Sequence, residues 1–175
     1  MSINSFKAAL SGGGARPNQF EVIMTLPSFA GNIGDASKFL VEATSLPGSS
    51  MGVAPANFKG RLVPFSGERT FQPWQITVVN DTDFKIYNAL EKWIHYMNDV
   101  SENTGEARPA SYCANEMTVN QLGRRSEILK AYNFVSVFPS DLSPIALSFG
   151  DNDNIERFNV TFQYSYWTTP TLGNK

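Results

Sequence analysis

Apolar and polar residues alternate along most of the chain, and the pattern is clearest between Phe65 and Met97. Trp74, Ile76 and Val78 alternate with Gln75, Thr77 and Val79, the period of a strand with one buried face. Pro73 has no N–H to donate, which places the start of this strand at an edge or a bulge. Asn80-Asp81 ends it. Asp81 is a good helix N-cap, and Asp83 falls in the first turn, where the helix dipole favours a carboxylate. The period then changes. Ile86, Tyr87, Leu90, Trp93, Ile94 and Met97 share one helical face and are expected to pack the helix onto the strands. Asn98-Asp99 and the polar stretch to Arg108-Pro109 end the helix, which is placed at about residues 82–98.

On either side the chain reads as strands. Phe20 to Leu26 alternates, with Phe20, Val22, Met24 and Leu26 on one face, and Lys38 to Ala43 is a second strand bearing Phe39, Val41 and Ala43. Phe58 to Val63 alternates again before Ser66-Gly67, a turn signal. Beyond the helix come Glu116 to Leu122, a turn at Gly123-Arg124-Arg125-Ser126, and a long strand from Ile128 to Phe138 closed by Pro139. Ile145, Leu147 and Phe149 make a short alternating strand, and Gly150 to Asn154 a hairpin-type turn. In the last strand Phe158, Val160, Phe162, Tyr164 and Tyr166 face one way, and Arg157, Asn159, Thr161, Gln163 and Ser165 the other. About seven or eight strands and one helix predict a mostly β fold: an antiparallel β-sandwich or open barrel with one flanking α-helix. No repeat or linker divides 1–175, so one domain is expected, with a flexible N-terminal arm over about 1–15 and a polar C-terminal tail over about 168–175.

The segment from Pro47 to Asn57 carries no charge. Met51, Val53 and Pro55 are apolar, while Gly48, Gly52 and two serines make it pliable. Two readings stand for such a protruding loop, at about 47–57: it folds back on its own domain, or it docks on a neighbouring chain.

Composition narrows the chemistry. Charged residues are 17 % of the chain and the net charge is −2, so no basic surface for tight nucleic-acid binding is expected. No apolar run reaches the length of a membrane span, and Met1 to Ser11 lacks a signal-peptide core. With the lone Cys113, this points to a protein made in a reducing cytosol. His95 has no Cys or His at metal-ligand spacing, and no family signature makes His95 and Cys113 a thiol–imidazole pair. Asp151-Asn152-Asp153-Asn154 resembles the start of a calcium loop but lacks its later glycine and glutamate. Gly12-Gly13-Gly14 has neither the preceding strand nor the Lys-Ser or Lys-Thr of a phosphate cradle. Arg124-Arg125 reads as a solvated turn. The residues carry no catalytic, metal or cofactor site, and the chain reads as a structural or binding module.

Five stretches taken together resemble the major tail tube protein of contractile-tailed bacteriophages. They are Ala15 to Phe20; Ala43 to Pro47; Ser66 to Trp74; Thr77 to Asp81; and Phe158 to Phe162 followed by Tyr166-Trp167. They keep the family's order and span nearly the whole chain; the loop Pro27 to Ser37 and the tail beyond Trp167 depart from the pattern. The resemblance implies a β-sandwich with one helix, six-membered rings stacked into a tube inside a sheath, and passage of DNA through the bore without specific binding. The tubes of type VI secretion and of R-type pyocins are similar. The implied partners are the chain itself, the tail sheath protein, and baseplate and tail-terminator proteins, with no membrane anchor, no cofactor and no catalytic residue. The implied location is the virion tail, assembled in the host bacterial cytoplasm. The protruding loop is where the family touches neighbouring subunits, so Pro47, Met51, Val53, Pro55, Phe58, Lys59 and Arg61 are the candidate contacts. The alternatives are a tube-initiator or baseplate relative with the same fold, and a stand-alone β-sandwich binding module.

Overall fold

The computed structural model describes residues 2–10 and 13–170. Its strands are β1 (Phe20–Met24), β2 (Val41–Thr44), β3 (Ser49–Phe58), β4 (Arg61–Phe71), β5 (Trp74–Val79), β6 (Ala114–Leu122), β7 (Ile128–Leu142), β8 (Arg157–Gln163) and β9 (Tyr166–Thr168). The helices are α1 (Ile3–Ala9), α2 (Ala36–Leu40), α3 (Lys85–Met97) and α4 (Pro109–Tyr112). Seven strands form an antiparallel sheet in the order β1-β6-β7-β8-β5-β2, with β9 added to β7, and the sheet does not close. Strands β3 and β4 pair only with each other.

The 15-residue strand β7 joins the two layers of the fold. Up to Val137 it pairs with β6, and from Phe138 to Leu142 it pairs with β8. Ser136 takes a left-handed backbone (φ 55°) at the crossover, which turns the strand from one layer into the other. The layers close over one apolar cluster: Val22, Met117, Val119 and Phe134 from one side, and Trp74, Ile76, Val78, Phe158, Val160 and Phe162 from the other. The Trp74 ring stacks on Phe134 with centroids 4.4 Å apart.

Helix α3 contributes Ile86, Ala89, Leu90 and Trp93 to this cluster, while Tyr87 and Met97 pack at its margin. Ile94 instead lines a shallow surface hollow with Glu91, Lys92, His95 and Val100. The Trp93 indole N–H donates to the Tyr112 carbonyl at 2.6 Å, tying α3 to α4. Asp81 does not sit at the N-cap position, which Phe84 occupies in a left-handed conformation (φ 50°). Its Oδ1 still accepts the Lys85 N–H, at 2.9 Å, from four residues back.

Several sequence expectations are overturned. Lys38 to Leu40 is helical, not extended, and only Val41–Thr44 forms strand. Within the helix Ala36, Ser37 and Leu40 face inward at helical rather than strand spacing, Phe39 faces solvent, and the buried Ser37 hydroxyl accepts the Met24 N–H at 3.2 Å. Ser66-Gly67 is not a turn but the middle of β4. Gly67 lies against Gly52 so closely that a Cβ there would come within 3.0 Å of the Gly52 carbonyl carbon. Pro139 does not close its strand. It is absorbed at a register shift between Pro139 and Asp141. Ile145, Leu147 and Phe149 form no strand, because β8 already has neighbours on both edges. The arm expected over 1–15 includes α1, whose Ser2 hydroxyl caps the Ser5 N–H at 3.2 Å. Of the polar tail expected over 168–175, residues 171–175 lie outside the described residues.

After α3 the chain is held by Asp99. Its Oδ1 accepts the Ser101 hydroxyl at 2.6 Å, the Ser101 N–H at 2.7 Å and the Glu102 N–H at 3.0 Å. These bonds, with a smaller contribution from His95, lower its pKa to about 2. A folded-state value below the unfolded one means that the turn gains stability above the ordinary carboxylate range and loses it as pH falls towards 2. A carboxyl NMR titration is expected to place the Asp99 midpoint near 2, and Ser101→Ala to move it upward. A wild-type midpoint of about 4 would contradict this geometry.

Candidate assembly surface

The ribbon formed by β3 and β4 stands apart from the rest of the molecule. Directly paired residues share a face. Val53–Ser66, Pro55–Pro64 and Asn57–Leu62 lie on one face, and Ala54–Phe65, Ala56–Val63 and Phe58–Arg61 on the other. Both faces are therefore largely apolar, and neither is covered. Val53 is 67 % exposed, Phe58 64 %, Leu62 65 %, Phe65 58 % and Met51 51 %. An isolated two-stranded hairpin is marginal in water, so an apolar ribbon of this length needs a partner to cover it.

The turn is Lys59-Gly60, with φ of 48° and 82°. Positive φ at both positions matches the right-handed twist of the flanking strands and favours glycine at the second. The Lys59 ammonium lies 5.4 Å from the Phe58 ring centroid. Pro55 and Pro64 face each other across the ribbon and have no N–H to offer at its edges. An added strand would find no donor at these two positions.

The base of the ribbon is clamped. The Trp167 indole donates to the Gly48 carbonyl at 3.3 Å, and the Tyr164 hydroxyl to the Gln72 carbonyl at 2.8 Å. The Phe71 ring packs against Tyr164 and Trp167. Burial pushes the Tyr164 phenol up. The Trp74 indole donates to the Thr44 hydroxyl at 2.8 Å. Three of the five sequence stretches thus meet at this base: those containing Thr44, Phe71 with Trp74, and Trp167. The other two hold the frame. The Gln121 amide donates to the Arg16 and Gln19 carbonyls at 2.8 and 2.6 Å, fixing the approach to β1, and Thr77 lies in β5.

Among the candidate contacts, Met51, Val53, Pro55, Phe58, Lys59 and Arg61 all lie on the ribbon and are exposed, while Pro47 precedes it and is half-buried. Leu62, Val63 and Phe65 on β4 belong to the same surface. Alternation from Phe58 to Val63 was the signal for them, hidden by the turn reading of Ser66-Gly67. The segment is not a loop folded back on its own fold; it is one strand of a projecting hairpin.

No group of three or more potential metal-ligating side chains occurs among the described residues. Cys113 is half-buried and its thiol is pushed up by that burial. His95 pairs with Asp99 at 3.2 Å. The Arg124 guanidinium lies close beside Gly13, and Gly12 lies outside the described residues. No helix among the described residues is long and apolar enough to cross a membrane.

The family model for phage tail tube proteins matches residues 15–170, and the chain belongs to that family. It is 28 % identical over 165 residues to the tail tube protein gp19 of Enterobacteria phage T4, covering 92 % of this chain and 95 % of that one. In fold it is similar to a chain of the anti-feeding prophage baseplate, with a TM-score of 0.63 at 10 % identity over 89 % of this chain and 95 % of that chain. It is also similar to a chain of the PVC sheath–tube complex of an extracellular contractile injection system, with a TM-score of 0.57 at 15 % identity over 97 % of both chains. The chain is a tail tube protein.

Proposed function

We propose that the chain is the subunit of the inner tube of a contractile phage tail, assembling into six-membered rings that stack into a conduit for DNA. The observation that carries this reading is the uncovered apolar ribbon β3–β4, ordered on a chain of the tail tube family. Pro47, Met51, Val53, Pro55, Phe58, Lys59 and Arg61 supply contacts between subunits, and the buried face of α3 keeps the fold rigid. The role is structural and not enzymatic. The partners are the chain itself, the sheath, the baseplate and the tail terminator; the baseplate and sheath–tube complexes that contain similar folds support this. The tube is assembled in the host cytoplasm and remains in the virion tail. Negative-stain microscopy of the purified chain tests it: tubes or stacked rings are expected, and dispersed monomers at every concentration would refute it.

A conduit must not hold DNA. Each lysine or arginine contact with phosphate adds salt-dependent affinity, and a tube repeats every contact many times. On the outer face of β5 and β8, Gln75, Thr77, Asn159 and Thr161 are polar and uncharged with Asp141 beside them, and Arg157 at the end of that face is paired with Glu42. The disassembled subunit is expected to bind duplex DNA no tighter than the micromolar range at physiological salt. Sub-micromolar binding in fluorescence anisotropy would contradict a passive bore.

A further inference from the structure

The ribbon has a complementary surface on the same chain, at the opposite end of the fold. Strand β5 leaves the ribbon base at Trp74 and reaches Val79, which pairs with Arg157. One residue on, the Asn80 N–H donates to the Glu156 carbonyl and its side-chain amide to Glu156 Oε2, both at 2.9 Å. Glu156, at the far end of the loop from Ser143 to Glu156, is therefore roughly 20 Å along the strand direction from the ribbon base.

Loop and ribbon tip match in chemistry. Asp151, Asp153 and Glu156 are the charged residues of the loop, and no basic residue lies between Ser143 and Glu156. The tip, Phe58-Lys59-Gly60-Arg61-Leu62, carries two cations and no acid. Among the described residues none of these five charged groups takes part in an ion pair. The nearby Arg157 is already engaged by Glu42. Each surface also holds large apolar side chains in water: Leu147, Phe149 and Ile155 on the loop, Phe58 and Leu62 at the tip. The loop borders a hollow of about 490 Å³ lined in part by Leu147, Asp151, Ile155 and Glu156, and by Arg157, whose charge is held by Glu42.

We propose that the ribbon tip of one copy seats on the loop 143–156 of a second copy, with Lys59 and Arg61 against Asp151 and Asp153, and Phe58 and Leu62 against Leu147, Phe149 and Ile155. Different surfaces meet, so the contact is head-to-tail. Repeated, it adds copies without end along one direction, as stacking requires. The proposal rests on the tube reading and names the partner of the ribbon. Oppositely charged groups beside exposed apolar groups give such a contact both register and area.

The test is a charge exchange in the full chain, read as the critical concentration for polymer by sedimentation. Lys59→Glu with Arg61→Glu, or Asp151→Lys with Asp153→Lys, is expected to raise it about tenfold or more, because like charges then meet. All four changes in one chain restore opposite signs and are expected to return it to within about threefold of wild type. Unchanged thermal melts keep loss of fold out of the comparison. In a Cys113→Ser background, Leu62→Cys with Ile155→Cys is expected to give oxidised intermolecular ladders in polymers. If the loop pair polymerises as wild type, or the fourfold variant is no better than either pair with no ladder formed, the contact is wrong while the tube reading stands. Normal tubes that fail only to take up a sheath would assign the loop to that partner and likewise overturn the contact. A wild-type chain that never polymerises overturns both.

Discussion

Replacing Met51 and Val53 by serine is expected to leave a folded chain that no longer forms tubes. Neither residue touches the buried core, and both stand on a ribbon whose faces no other element covers. Their removal therefore leaves the melting temperature of the isolated subunit unchanged. In an assembly the balance is different. Burying a side chain of this size contributes roughly 1.5–3 kcal/mol, so losing two weakens each contact by roughly a hundredfold to ten-thousandfold. A tube multiplies that loss at every subunit. The expected result is monomer or small oligomer in sedimentation at concentrations where wild type forms tubes. Tubes of normal length would show that the ribbon makes no energetic contribution to assembly.

The second large effect lies in the core. Trp93 is fully buried, its ring sits beside Phe162 with centroids 6.4 Å apart, and its indole N–H donates to the Tyr112 carbonyl. Trp93→Ala removes that volume and leaves a carbonyl without its donor, at an expected loss of about 3–5 kcal/mol. For a chain of this size that lowers the melting temperature by roughly 10 °C or more. Trp93→Phe keeps most of the packing and loses the hydrogen bond, so it is expected to fall between wild type and the alanine variant. Thermal melts of the three proteins check this ordering. An alanine variant as stable as wild type would mean that α3 does not brace the sheet.

Residue patterning made the frame legible wherever a single face is buried. Strands β5 and β8 alternate cleanly, and α3 carries a regular apolar stripe, so they can be read from periods of 2 and 3.6. Three places resisted for three physical reasons. At Ser37 a polar side chain is buried because its hydroxyl serves the Met24 N–H, which hides the helical period of α2. At Gly52 and Gly67 two strands approach closely, so glycines that mimic a turn are mid-strand residues. At the ribbon the sequence holds apolar residues on both faces, and periodicity has no meaning where neither face is buried in the chain's own core. The absence of charge from Pro47 to Asn57 did mark the region. Its shape did not follow, because a left-handed Lys59 is an unusual first turn residue.

The central claim is that the β3–β4 ribbon holds copies of this chain together in a six-fold tube. A cryo-electron microscopy reconstruction of tubes assembled from the full chain tests it most directly. The account predicts rings of six copies, with Met51, Val53 and Phe58 covered by a neighbouring subunit. Ribbons projecting into solvent, or a polymer without six-fold symmetry, would contradict it.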